Sequence, residues 1–403
     1  MSGPLEGVRI VDMTSVLMGP FASQMLGDMG ADVIKVEAPA GDITRQIGPQ
    51  PDKGMGPHFM HNNRNKRSIV LDLKHADGKA ALLKLCENAD VLMYNVRPQA
   101  MARLGLGYEV IAKANPRIIY VGAFGFDQQG PYAAKPAYDD LIQGSVGVPS
   151  LVKRAGSDVP RYVPTNFADR AVGQRMANVV TAALYCRERT GKGQAIDVPM
   201  FETMIEFVMG DHLSGLTYEP AAGPSGYPRL LAAERKPYAT ADGYICAVVY
   251  NDKHWQSFLA LIGRPEMFKE DVRFSSMSNR TKHINDVYGF LADVLKTRST
   301  SEWLELLNTA DIPVMPMHSV ESLLEDPHLN AIDFFKHVDH PTVGKIRMMS
   351  IPTRWSESQL SVRRHAPELG EQSVEILREI GYDEATIQQM IDNQVISQYS
   401  GKH

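Results

Sequence analysis

Five short runs of apolar and β-branched residues recur through the first third of the chain, each separated from the next by a stretch of different periodicity. They are VRIVDMT (8–14), DVIKVE (32–37), SIVLDL (68–73), DVLMYNV (90–96) and RIIYVGA (117–123). Between them, 21–31, 76–89 and 99–115 carry helical spacing with Gly, Asn or Pro stops. Strands separated by helices pair in parallel, because each parallel partner needs a long crossover, and the crossover helices cover the sheet faces. The first half is therefore read as an α/β domain built on a doubly wound parallel sheet.

A long helix is expected over 168–189, where Ala168, Val172, Met176, Val179, Val180, Ala183 and Leu184 fall on one face. Arg187, Arg189 and Lys192 load its C-terminal end, and Gly191 and Gly193 stop it. The Pro- and Gly-rich stretch 215–237 reads as a loop or linker, YATADGYICAVVY as a hairpin, and 251–330 as mostly helical. From 331 the pattern turns strand-like again, then ends in helices at 371–381 and 384–393. The expected organisation is a large domain from 1–200 with 331–403 returning to it, a linker at 201–224, and a smaller α+β domain at 225–330. No internal repeat or low-complexity tract interrupts it.

Composition narrows the class. With 403 residues, 44% hydrophobic and 22% charged, the chain can bury a sizeable core. Its net charge of −5 offers no basic field for nucleic acid or an anionic membrane. No apolar run approaches the ~20 residues that span a bilayer. The opening MSGPLEGVRIVDMT lacks a basic stretch followed by an apolar one, and Cys86, Cys186 and Cys246 are far apart with no C-x-x-C pair. A cytoplasmic enzyme with reduced thiols is expected. No metal site is expected: His337 and His340 are close in sequence, but only Asp339 accompanies them.

Three features could carry chemistry. Gly19-Pro20 opens a helix directly after a strand, where backbone N–H groups can meet an anion, although the spacing is not G-x-G-x-x-G. Lys66, Arg67, Lys74, Arg97, Arg103 and Lys135 include several cations just past expected strand ends, the edge where open α/β sheets bind ligands. By themselves such cations read first as solvated surface charge. Asp169 follows Asn166 in an N-x-x-D pattern at the start of the long helix. It reads either as a helix cap or as a nucleophile that the helix N-terminus keeps ionised.

Taken together, VDMTSVLMGPFASQMLGDMGADVIKVE, Gly41-Asp42, NRNKRSIVLDLK (63–74) and NVRP (95–98) resemble the class III CoA-transferase family, of formyl-CoA transferase and carnitine CoA-transferase type. FGFDQQGPYAAKPAYDDLIQ, NFADRAVG, RERTGKGQAIDVPMFE and APELGEQS continue the likeness in order along essentially the whole chain. The resemblance implies a doubly wound large domain built from both chain ends, a small middle domain, and an intertwined homodimer. It implies that Asp169 is the nucleophile. CoA would lie along Val16, Leu71, Leu73, Lys74, Asn95, Arg103 and Lys135. No permanently bound cofactor is implied; a CoA thioester and a small carboxylic acid are the substrates. The chain departs from formyl-CoA transferases at Ala38, where they carry arginine, and in AAGPSGYPRLL, which lacks their run of glycines. Gln372 stands where many relatives have histidine.

Two alternatives stay open. One is a racemase of the α-methylacyl-CoA type, whose histidine would fall in Ala137-Tyr138-Asp139, where none is present. The other is a protein that binds CoA esters without turnover.

Overall fold

In a computed structural model that describes residues 3–51, 54–397 and 399, the chain divides into two compact units. The first comprises 1–146, 164–206 and 332–403; the second comprises 147–163 and 207–331. The segment 147–163, read from the sequence as part of the first domain, groups with the second.

The first unit is built on six parallel strands: β1 (Arg9–Met13), β2 (Asp32–Glu37), β3 (Lys66–Val70), β4 (Val91–Tyr94), β5 (Ile119–Phe124) and β6 (Gln194–Pro199). Their order is β3-β2-β1-β4-β5-β6, so the chain reverses direction across the sheet between β1 and β4. That reversal opens a crevice at the carboxyl ends of those two strands. β1 to β5 have almost wholly buried residues, whereas β6 is largely exposed on its edge.

β3 begins at Lys66, two residues earlier than its apolar run suggests, and ends at Val70. Leu71 and Leu73 thereby move from the expected strand onto the loop at its carboxyl end, where Lys74 follows them. The stretch 99–115 is two helices, Pro98–Leu104 and Tyr108–Ala114, because Gly105 takes a left-handed φ of 72° and ends the first. The long helix runs Phe167–Thr190 and stops at Gly191, whose N–H bonds back to the Arg187 carbonyl at 2.7 Å.

This long helix packs against helix Met18–Asp28 closely enough to require glycine. A Cβ on Gly173 would lie 2.7 Å from the Met18 carbonyl oxygen. On the sheet face carrying Val11, Ile34 and Leu92, the C-terminal helices Ser373–Glu379 and Glu384–Asp392 contribute Ile376, Leu377, Ile387 and Met390 to one apolar core.

The second unit has a three-stranded antiparallel sheet, β7 (Tyr238–Ala239), β8 (Tyr244–Ala247) and β9 (Val314–Pro316), in that order. Helices Asp252–Leu261, Ile284–Leu295 and Thr300–Thr309 cover it around Trp255, Phe258, Phe274 and Trp303. Two further antiparallel strands, β10 (Phe335–His340) and β11 (Gly344–Met349), belong to the first unit. Among the described residues no helix is long and apolar enough to cross a membrane.

Candidate active site

The loop leaving β1 is held from several sides by buried charge. Lys35 Nζ, fully buried, donates to the Thr14 carbonyl at 2.9 Å and to Asp42 Oδ2 at 3.0 Å. Asp42 in turn accepts the Val16 N–H at 3.1 Å. From β4, the Asn95 side-chain amide makes two bonds to Ser15, accepting its N–H at 2.9 Å and donating to its carbonyl at 2.7 Å. These anchors keep Val16 at φ 70°, a left-handed conformation that a β-branched residue rarely adopts. Gly19 completes the turn, since a Cβ there would lie 2.3 Å from Thr14 Cβ. Helix Met18–Asp28 then starts without a capping side chain, leaving first-turn N–H groups beside the crevice.

In that crevice lies a cavity of about 290 Å³ lined by Val16, Asn95, Arg97, Lys135, Tyr138, Asp139 and Asp169, among others. A neighbouring cavity of about 370 Å³ is lined by Ala38, Leu71, Leu73, Lys74 and Leu104. Ser15 borders both, so the two form a groove along the carboxyl ends of the central strands. Four of the sequence-predicted residues, Val16, Asn95, Lys135 and Asp169, come together in the first cavity, and Leu71, Leu73 and Lys74 in the second. Arg103 lines neither; it is exposed on the Pro98–Leu104 helix, next to Leu104.

The cation set separates into two groups. Arg97 and Lys135 line the first cavity, with Arg97 tied to the Ala134 carbonyl at 3.0 Å and Lys135 Nζ 3.9 Å over the Tyr132 ring. Lys66 and Arg67 are consumed in structural pairs at the opposite, amino-terminal end of β3. Lys66 bonds Asp12 at 3.1 Å, and Arg67 bonds Asp32 at 2.8 Å and Glu379 at 2.6 Å. They are not ligand cations at the sheet edge, because acids distant in sequence already answer them.

Asp169 is the third residue of its helix, and the expected cap is not formed: Asn166 makes no side-chain capping bond. Asp139 caps the helix instead, accepting the Asp169 N–H through Oδ2 at 2.9 Å and the Gln143 amide through Oδ1 at 2.6 Å. Among the described residues no donor sits on the Asp169 carboxylate. Burial, reinforced by the nearby charge of Asp139 and only partly offset by Arg170, pushes its pKa up to about 7. The expectation that the helix start keeps Asp169 ionised at neutral pH is therefore corrected: burial and the like charge of Asp139 raise its pKa. Arg170 is engaged elsewhere, donating to Asn62 Oδ1 at 2.8 Å with its guanidinium 4.4 Å over Phe21.

Sequence reasoning did not single out Asp139, Asp42 or Lys35 as parts of the site. The Gly41-Asp42 and AYDD motifs were visible, but their partners are set only by tertiary packing. Gln372 has a structural duty, clamping β3 through the Ser68 N–H at 2.8 Å. No histidine lines the Asp169 cavity. Among the described residues no group of three His, Cys, Asp or Glu could hold a metal ion.

The chain is similar to known proteins along nearly its whole length. The profile of CoA-transferase family III matches residues 5–373. An acetyl-CoA:oxalate CoA-transferase of Acetobacter aceti is 34% identical, covering 95% of this chain and 97% of its own. A succinyl-CoA:glutarate CoA-transferase of Mus musculus is 31% identical, covering 99% and 92%. Among solved structures, a CAIB/BAIF family protein from Brucella suis superposes with a TM-score of 0.78 at 30% identity, covering 94% of this chain and 100% of that one. With the profile and the relatives aligned nearly end to end, the chain belongs to CoA-transferase family III, a family of enzymes that use CoA thioesters.

Proposed function

We propose that this enzyme moves CoA from an acyl-CoA thioester to a short carboxylic or dicarboxylic acid, with Asp169 as the covalent carrier. The Asp169 carboxylate attacks the thioester carbonyl and expels CoA thiolate, leaving a mixed aspartyl–acyl anhydride. The thiolate attacks the Asp169 carbonyl of that anhydride, forming a β-aspartyl-CoA thioester and releasing the donor acid. An acceptor carboxylate then runs the two steps in reverse. Splitting the exchange this way is covalent catalysis, and it keeps the thioester energy as long as water stays out.

One observation carries the reading: Asp169 is a half-buried carboxyl without a donor of its own, lining the groove that continues to Lys74. A CoA thioester has the elongated shape of that groove. Val16, Leu71, Leu73, Lys74 and Lys135 line it, Asn95 fixes its inner loop, and Arg103 is exposed outside it, next to the lining residue Leu104. The uncapped first turn of helix Met18–Asp28 supplies N–H groups suited to an oxyanion. Two of the relatives are named for dicarboxylic acids, oxalate and glutarate. The chain leaves its first unit and re-enters it at 332, a path that suits an intertwined homodimer. Free thiols at exposed Cys186 and Cys246 suit the cytoplasm.

Intact mass spectrometry tests the carrier. Enzyme mixed with acyl-CoA alone should gain the mass of one CoA less one water on a peptide containing Asp169. Asp169→Ala and Asp169→Asn should bind CoA esters and lose exchange. Full exchange in an Asn variant checked for deamidation would move the chemistry to another residue.

A further inference from the structure

The second unit contains a cavity of about 250 Å³ that the proposed chemistry does not use. Three cations line it, Arg229, Arg235 and Lys236, together with Tyr238 and Tyr288. Lys236 is answered by Glu234 at 3.2 Å. Among the described residues neither Arg229 nor Arg235 has an acidic partner. Arg229 is also the better placed of the two: its guanidinium sits 5.0 Å over the Tyr250 ring, and its Nε is buried with no acceptor. No acid answers the Arg229 guanidinium among the described residues, and an anion in the cavity would supply that charge-assisted contact.

Charge and shape together define the ligand class. Two uncompensated guanidinium charges match a dianion. The remaining wall is apolar, from Pro237, Ala247, Val248 and Val249, and suits methylene groups between two anionic ends. We infer that this pocket in the second unit binds a small dicarboxylate through Arg229 and Arg235. The inference rests on the reading above for the identity of that dicarboxylate, the enzyme's own acid substrate or product, but the pocket can be tested without turnover.

Cys246 lines the same cavity and is exposed, which supplies a reporter. In full-length Cys186→Ser protein, glutarate should slow maleimide labelling of Cys246, and butyrate, with one carboxylate, should not. Arg235→Gln and Arg229→Lys should each weaken that protection by about tenfold, the typical worth of one charge-assisted contact. Arg235 is exposed, so its variant should fold even if the Arg229 variant does not. Asp169→Ala should protect as well as the parent, which separates this pocket from the Asp169 cavity. Equal protection by butyrate or by inorganic phosphate, or glutarate protection undiminished in Arg235→Gln, overturns the dicarboxylate pocket. Failure of CoA to load on Asp169 would instead overturn the proposed carrier and leave the labelling result standing.

Discussion

The carboxyl of Asp169 titrates near 7 because it is shielded from water and Asp139 sets a like charge nearby. A carboxylate that has lost its hydrogen bonds keeps more basicity, and so more nucleophilicity, than a solvated one. CoA loading in single turnover should therefore rise about tenfold per pH unit below a midpoint near 7 and flatten above it. Asp139→Asn retains an acceptor for the Asp169 N–H but removes the charge, so the midpoint should move to lower pH. An unmoved midpoint would mean that burial alone sets it. The stability consequence has the opposite sign from that of an ion-paired acid. The folded pKa lies above the ordinary 3.8, so the folded state holds the extra proton, and stability falls as pH rises from about 4 to 7. Thermal melts of Asp169→Asn should show a higher Tm than the parent at pH 8, with the gain gone near pH 4.

At the scale of elements, the helix pair Met18–Asp28 and Phe167–Thr190 brings Asp169 to the crevice, and Gly173 sets how closely the two approach. Gly173→Ala should push them apart, lowering stability by about 1–3 kcal/mol in urea melts and slowing CoA loading at saturating donor. Strands β1 to β5 are legible in the sequence because burial on both faces makes each a continuous apolar run. QAIDVP, which forms β6, is mostly exposed and carries no such signal. The break at Gly105 turns on a single left-handed residue inside a helical pattern. Motif position marks Asp169 and, of the groove lining, Val16, Leu71, Leu73, Lys74, Asn95 and Lys135. It does not mark Asp139, because what matters is its bond to a backbone N–H thirty residues away. Lys66 and Arg67 misled for the same reason: residue type does not reveal that Asp12, Asp32 and Glu379 already hold them.

For the whole molecule, the intertwined homodimer proposed above should not part on dilution. Sedimentation velocity should give a single species of twice the chain mass down to nanomolar concentration; a stable monomer at micromolar concentration would exclude intertwining. The chain's return to its first unit bears on how the protein is made. Ile376, Leu377, Ile387 and Met390 pack into one core with Val11, Ile34 and Leu92. During synthesis, then, the sheet assembled from the earliest residues must wait, with that face only partly covered by helices Ala76–Glu87, Pro98–Leu104 and Tyr108–Ala114, until helices Ser373–Glu379 and Glu384–Asp392 clear the ribosome. A nascent chain halted short of them carries a finished crevice on an unfinished body, and it is in that interval that the cell's chaperones would have the most to hold.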